Sequence, residues 1–284
     1  MEEYDFPQQA IMSISSVFDK IDKSDGKFIL KEMVGDYQNS CDINYDNLLV
    51  KIKEMSTMSG VCLYECILVT FLSFVEELKK YYRLKGYSYD VYQETVRGIK
   101  YKMQECYDLH GIYGATCGLG FSIYFSLKRF GIGILQFEVV DFNRTATING
   151  ITLVPTDKVI NVHIPKSDKP FTKELRLDAY KKAKEFFKSY FKGKEKVPFY
   201  CNSWLLFNKH REILKPTSNL MAFMDEFTMF NQYEYSDYSE TWRVFNKIFT
   251  RIEEMPQKTS LQKAYVSFIK EGQKTGAGEG VFFL

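Results

Sequence analysis

Val159-Ile160-Asn161-Val162-His163-Ile164-Pro165, followed by Lys166-Ser167-Asp168-Lys169 and then by Thr172, reads as strand, polar loop and helix start. The β-branched run favours an extended chain, and Pro165 stops it because proline cannot donate to a ladder. Thr172 is a capping residue, and Glu174 in the first turn suits the helix dipole. A long helix is predicted from about Thr172 to Lys192. Its stripe is Leu175, Ala179, Ala183, Phe186 and Tyr190, broadened by Tyr180, Phe187 and Phe191, and Gly193 ends it. Free backbone amides at such a helix start form an anion site, and Lys166 and Lys169 beside them favour a pyrophosphate. A plain polar connection offers the same parts. The period of two puts His163 on one face with Asn161, opposite Val162 and Ile164. It reads either as a general base titrating near neutral pH or as a satisfied histidine in a half-buried sheet.

Outward from this unit, Ile134 to Phe142 reads as a strand, Asn143 to Gly150 as a polar turn, and Ile151 to Val154 as the returning strand. Downstream, Val197 to Leu206 is another strand and Asn208 to Leu214 a short helix. Met221 to Tyr235 fits a strand, and Ser260 to Glu271 is the last helix. The tail Gly276-Ala277-Gly278-Glu279-Gly280 is no dinucleotide loop, since no strand is predicted before it and no helix after it. Upstream of Arg129 the rhythm is helix after helix, with Asp46 to Lys53, Val61 to Tyr82 and Tyr89 to His110 most clearly periodic. His110 in a last turn followed by Gly111 is read as a helix end rather than as chemistry. The expected organisation is a helical domain, 1–129, and an α/β domain, 130–284.

Composition bounds the function. The 284 residues allow two domains of roughly 150 residues each, both able to bury a core. A formal charge of +2 gives no reason to expect a nucleic-acid partner. The most apolar run, Val61 to Val75, contains Tyr64 and Glu65 and falls short of the ~20 residues a membrane span needs. The start, Met-Glu-Glu-Tyr-Asp, is acidic where a secretory signal is basic, so a cytoplasmic protein is expected. The 6 cysteines include no CxxC pair, and Cys62 and Cys66 have no neighbouring histidine. Free thiols and no metal are therefore expected. Cys201 could be a nucleophile with His163 as its base, but no helix start follows to lower its pKa. A buried core cysteine is the simpler reading.

The strings Val159-Ile-Asn-Val-His-Ile-Pro165, Ala183-Lys-Glu-Phe-Phe187, Cys201-Asn-Ser-Trp-Leu-Leu206 and Ser218-Asn-Leu220 resemble a bacterial acyltransferase family. So do Met255-Pro-Gln-Lys-Thr-Ser-Leu-Gln-Lys-Ala264 and, at the junction, Gly133-Ile-Leu-Gln-Phe-Glu138. Members pair a helical N-terminal acyltransferase domain with a GNAT-like C-terminal domain. The resemblance implies an α+β protein: helices first, then a mixed, strongly twisted sheet flanked by helices, in which two neighbouring parallel strands splay apart. It implies acyl-CoA as co-substrate, with no permanently bound cofactor, and an amine-bearing small molecule or peptide as acceptor. Pantetheine would lie along the backbone of Val162 and Ile164. The pyrophosphate would meet Lys166, Ser167, Lys169 and Thr172, with Trp204 also at the cofactor. His163 is the expected base, Glu138 the second candidate through a water, and Ser203 or Tyr200 would serve the leaving thiolate. Two departures stand out. Residues 166–171 contain no glycine, and Ile134 and Asn202 stand where the family commonly has arginine and histidine. The expected function is an acyl-CoA-dependent N-acyltransferase. The alternative is a catalytically silent acyl-CoA-binding or protein-interaction module.

Overall fold

The structure, a computed structural model, describes residues 5–284. It divides into two compact units. One runs to Ile132 and includes Pro165–Ser167, and the other comprises Gly133–Ile164 and Asp168–Leu284.

The first unit is built from α1 (Gln8–Asp22), α2 (Gly26–Asn39), α3 (Tyr45–Ser59), α4 (Leu63–Leu84), α5 (Tyr89–His110) and α6 (Gly118–Phe125), followed by the short strand β1 (Arg129–Ile132). Local chemistry sets several ends. Asn44 and Ser88 cap α3 and α5 through their side chains, and Gly60 and Gly111 close them in the left-handed conformation. His110 lies in the last turn of α5 and packs against the Tyr64 ring, as a helix-end residue should. The core gathers around α4, where Phe71 and Phe74 meet Tyr37, Phe121 and Phe125. Tyr37 is buried, and its hydroxyl donates to the Phe125 carbonyl at 2.9 Å. Much of the aromatic surplus of the chain thus fills a core. Among the described residues no single helix is long and apolar enough to cross a membrane.

The second unit contains β2 (Leu135–Asp141), β3 (Ala146–Ile148), β4 (Ile151–Leu153), β5 (Lys158–His163), α7 (Lys173–Phe186), β6 (Pro198–Ser203), α8 (His210–Ile213), α9 (Asn219–Met224), β7 (Thr228–Glu234), α10 (Trp242–Phe245), α11 (Ser260–Lys270) and β8 (Gly276–Phe283). Its strands follow one another in the order β2-β5-β6-β8-β7, while β3 and β4 form a separate hairpin. All neighbours in the sheet are antiparallel except β5 and β6, which run parallel. The fold is therefore the α+β arrangement expected, with a mixed sheet.

Three elements differ from the sequence reading. The glycine tail is a strand, β8, inside the sheet between β6 and β7. A Cβ at Gly276 would run into the Tyr233 carbonyl and the Phe207 ring, and one at Gly278 into the Leu206 carbonyl. Alternate glycines here allow close packing on one face, which strand propensity does not register. Met221 to Tyr235 is half helix, α9, and half strand, β7. Finally, the buried stripe of α7 is Arg176, Ala179, Tyr180 and Ala183, not the purely apolar one, and Tyr190 is exposed beyond the helix end. Arg176 is 0% exposed and holds Glu226 through Nε and Nη2, with its Nη1 on the Phe171 carbonyl at 2.9 Å. The Phe171 and Phe223 rings lie against the guanidinium. An apolar-period search passes over a buried arginine because its burial depends on a partner fifty residues away.

Candidate active site

The site grows out of the register between β2 and β5. Glu138 is the partner of Asn161 and Gln136 that of His163, so Glu138, Asn161 and His163 project from one face. The imidazole Nε2 of His163 lies 2.7 Å from Glu138 Oε1. Asn161 Nδ2 donates to the same carboxylate oxygen at 3.0 Å and lies 3.1 Å from His163 Nε2. With Glu138 ionised, Nε2 carries the hydrogen that binds it, and the lone pair of the neutral ring is on Nδ1. The Glu138 side chain is 11% exposed and that of His163 30%, so the carboxylate is sheltered and the ring reachable. A carboxylate at this distance fixes the tautomer and the orientation of the ring that it binds. The Glu138 carboxylate thus meets the His163 ring directly.

The opposite wall of the site is β6. It pairs with β5 only at Ile160 with Phe199 and Asn161 with Tyr200, although each strand is six residues long. Beyond that point the two parallel strands part. Val162, His163 and Ile164 lie on the parted stretch, with their β6-facing backbone outside the ladder. The ladder ends beside the Glu138–His163 pair, where the resemblance implies a splay.

On β6, Tyr200 shares the face of Asn161, and its hydroxyl donates to Glu279 Oε2 at 2.6 Å. Burial, and then the bond to Glu279, push the Tyr200 phenol above its ordinary pKa. Glu279, on β8, is 2% exposed and also accepts from Asn231 Nδ2 at 2.8 Å and pairs with Arg144 Nη1 at 3.1 Å. Ser203 accepts the Leu205 amide and so caps the single turn that begins at Trp204. Trp204 stands edge-on to His210 and Tyr265. Cys201 is fully buried, and burial alone pushes its thiol far from the thiolate form, which removes the nucleophile reading.

The loop after β5 is less open than the sequence suggests. Lys166 donates to Asp108 Oδ2 at 2.6 Å, while Thr172 caps α7 by accepting the Leu175 amide. Arg176 clamps the loop's far end at Phe171. Among the described residues no group of three His, Cys, Asp or Glu is placed to hold a metal. Sequence reasoning singled out His163, Glu138 and Tyr200, which the sheet brings to one face, but missed Glu279, Arg144 and Arg176. An acidic residue between alternating glycines was the available signal for Glu279.

Residues 129–282 match the family described as the GNAT-like C-terminal domain. That is more than half of the chain, and the protein belongs to this family. Solved acyltransferase structures share the fold at low identity. One, in complex with decanoyl-CoA, superimposes with a TM-score of 0.76 at 18% identity, over 99% of this chain and 85% of the other. A mutant acyltransferase in complex with octanoyl-CoA gives 0.74 at 17% identity, over 100% and 86%. A third, in complex with decanoyl-CoA and teicoplanin, gives 0.67 at 19% identity, over 79% and 68%. No curated protein matches the chain in sequence.

Proposed function

We propose that this protein is an acyl-CoA-dependent N-acyltransferase that transfers an acyl group from a CoA thioester to an amine by direct attack. The single observation that carries the proposal is the His163–Glu138 pair beside the point where β5 and β6 part. The relatives in fold are bound to octanoyl- or decanoyl-CoA, and one to teicoplanin, which favours a medium-chain donor and an acceptor of some size. Both compact units would serve the reaction, as a helical domain over 1–129 and a catalytic one over 130–284.

In this reading pantetheine lies in the splay and hydrogen-bonds the backbone of Val162 and Ile164. The pyrophosphate lies by Ser167, Lys169 and the amides at the start of α7, where Thr172 sets the first turn. Lys166 contributes once phosphate draws it from Asp108, and Trp204 and Ser203 line the β6 side. His163 Nδ1 takes the proton of the attacking amine, Glu138 holds the imidazolium, and a backbone amide of the parted strands supports the oxyanion. The free cysteines fit a cytoplasmic setting.

A second reading, a silent acyl-CoA-binding module, is favoured by the glycine-free loop and by the Lys166–Asp108 pair. Thermal shifts with CoA and with acetyl-, octanoyl-, decanoyl- and palmitoyl-CoA test the donor site. A ligand at ~100 times its Kd adds roughly 2.7 kcal/mol of stability. Absence of any shift would sink both readings. A shift without CoA release in the presence of amines would favour the module.

A further inference from the structure

The catalytic reading leaves one buried charge unexplained. Glu279 projects from a strand whose neighbouring positions are Gly278 and Gly280, and it collects three donors: the Tyr200 hydroxyl, Asn231 Nδ2 and Arg144 Nη1. A carboxylate in the middle of a sheet is costly unless its acceptor sites are filled, and here they are. The arrangement has a directional consequence. A phenol has one hydrogen, and the one on Tyr200 points at Glu279, so the rest of its oxygen offers lone pairs only.

The same inversion holds one strand away. Asn161 stands directly beside Tyr200 in the parallel register and directs its Nδ2 at Glu138 Oε1. Its Oδ1 is the acceptor end of the amide. The two acceptor oxygens thus belong to residues paired across adjacent strands, on the face that carries His163. That face carries two carboxylates, Glu138 beside His163 and Glu279 paired with Arg144. Such a set of groups suits a cationic N–H donor and discourages an anion.

We propose that Glu279 is a positioning residue that turns the Tyr200 oxygen into a hydrogen-bond acceptor for a primary amine, with Asn161 Oδ1 as the second acceptor and His163 Nδ1 as the third. The inference rests on the transferase reading and gives Tyr200 a role opposite to that of acid for the thiolate. A primary ammonium has three hydrogens for three acceptors, whereas an alcohol has one. The ammonium first loses one proton through His163 to solvent. The amine lone pair then forms the N–C bond, and His163 Nδ1 takes the second proton. The C–S bond breaks, and the departing CoA thiolate receives that proton back through water.

The test follows release of free CoA thiol from decanoyl-CoA, with glucosamine, ethylamine and triglycine as acceptors and glucose as the hydroxyl control. It uses the wild type, Y200F, E279Q and the double variant. In the wild type at least one amine accelerates release and glucose does not. Y200F is expected to raise the KM for that amine about tenfold while kcat stays within about threefold and its pH profile keeps its shape. E279Q should move KM the same way, and the double variant should be no worse than the poorer single one. A fall in kcat at unchanged KM in Y200F, with loss of the alkaline limb, would restore Tyr200 as the acid and overturn the proposal. Additive effects in the double variant, or a silent E279Q beside an impaired Y200F, would overturn the part assigned to Glu279. If E279Q does not fold, Y200F decides the rest. A wild type that no amine accelerates also overturns it. In that case a surviving thermal shift with decanoyl-CoA leaves the donor site standing, and its loss removes the transferase reading as well.

Discussion

Two histidines of the second unit have opposite surroundings. His163 has a carboxylate at 2.7 Å and a side chain 30% exposed. His210, at the start of α8, is buried, with the Tyr265 hydroxyl on its Nε2 and the ring edges of Trp204 and Phe207 against it. Burial pushes the His210 pKa down to about 4. The difference lies in what each environment offers a positive ring. An ionised carboxylate and nearby water stabilise an imidazolium, while a phenol and indole in a dry pocket do not. Residue type alone therefore says little about a base; the partner and the access decide it.

The largest expected effect breaks the comparison at its catalytic end. H163A should lower kcat by 10²- to 10⁴-fold, the usual worth of a general base, with little change in Tm, as steady-state kinetics beside thermal denaturation would show. Equal activity in H163A and wild type would move the base elsewhere. Next comes the ionic cluster that holds the loop. R176M leaves the largely sheltered Glu226 carboxylate without its cation and should cost about 3 kcal/mol in denaturant unfolding. An unchanged midpoint would mean that the loop is held by other contacts.

The His210 environment predicts a pH effect of definite sign. The folded pKa lies below the ordinary 6.5, so the unfolded chain binds more protons between pH 6.5 and 4. Stability is therefore full above pH 6.5 and declines toward pH 4, by on the order of 3 kcal/mol for this group. H210F should flatten that decline in unfolding curves taken at several pH values. An identical slope in the variant would assign the acid sensitivity to other groups. The smallest effect is expected at Cys201, where C201A removes a buried sulfur for about 1 kcal/mol and leaves turnover intact. Loss of activity, or an acyl adduct on Cys201 by mass spectrometry, would revive a covalent route.

How far the site could be read from the chain depends on the range of the interactions. Local chemistry announced itself: Thr172 caps α7, Gly111 closes α5, and the period of two set His163 and Asn161 on one face. Glu138 was identified only as a candidate, because its bond to His163 spans 25 residues and depends on the β2–β5 register. Tyr200 was a candidate, with Ser203, to serve the thiolate, and the carboxylate that its hydroxyl meets comes from a strand 79 residues further on.

Alternation, caps and breaks are properties of a few neighbouring residues, so the sequence by itself determined the helical first part, the β5–loop–α7 unit and the place of His163. Only the tertiary structure decided that the glycine-spaced tail is an inner strand, since close approach of Phe207 and Tyr233 makes glycine the residue that fits there. It also decided which polar side chains are buried. A charge such as Arg176 or Glu279 can leave water only when a distant strand or helix brings it a partner.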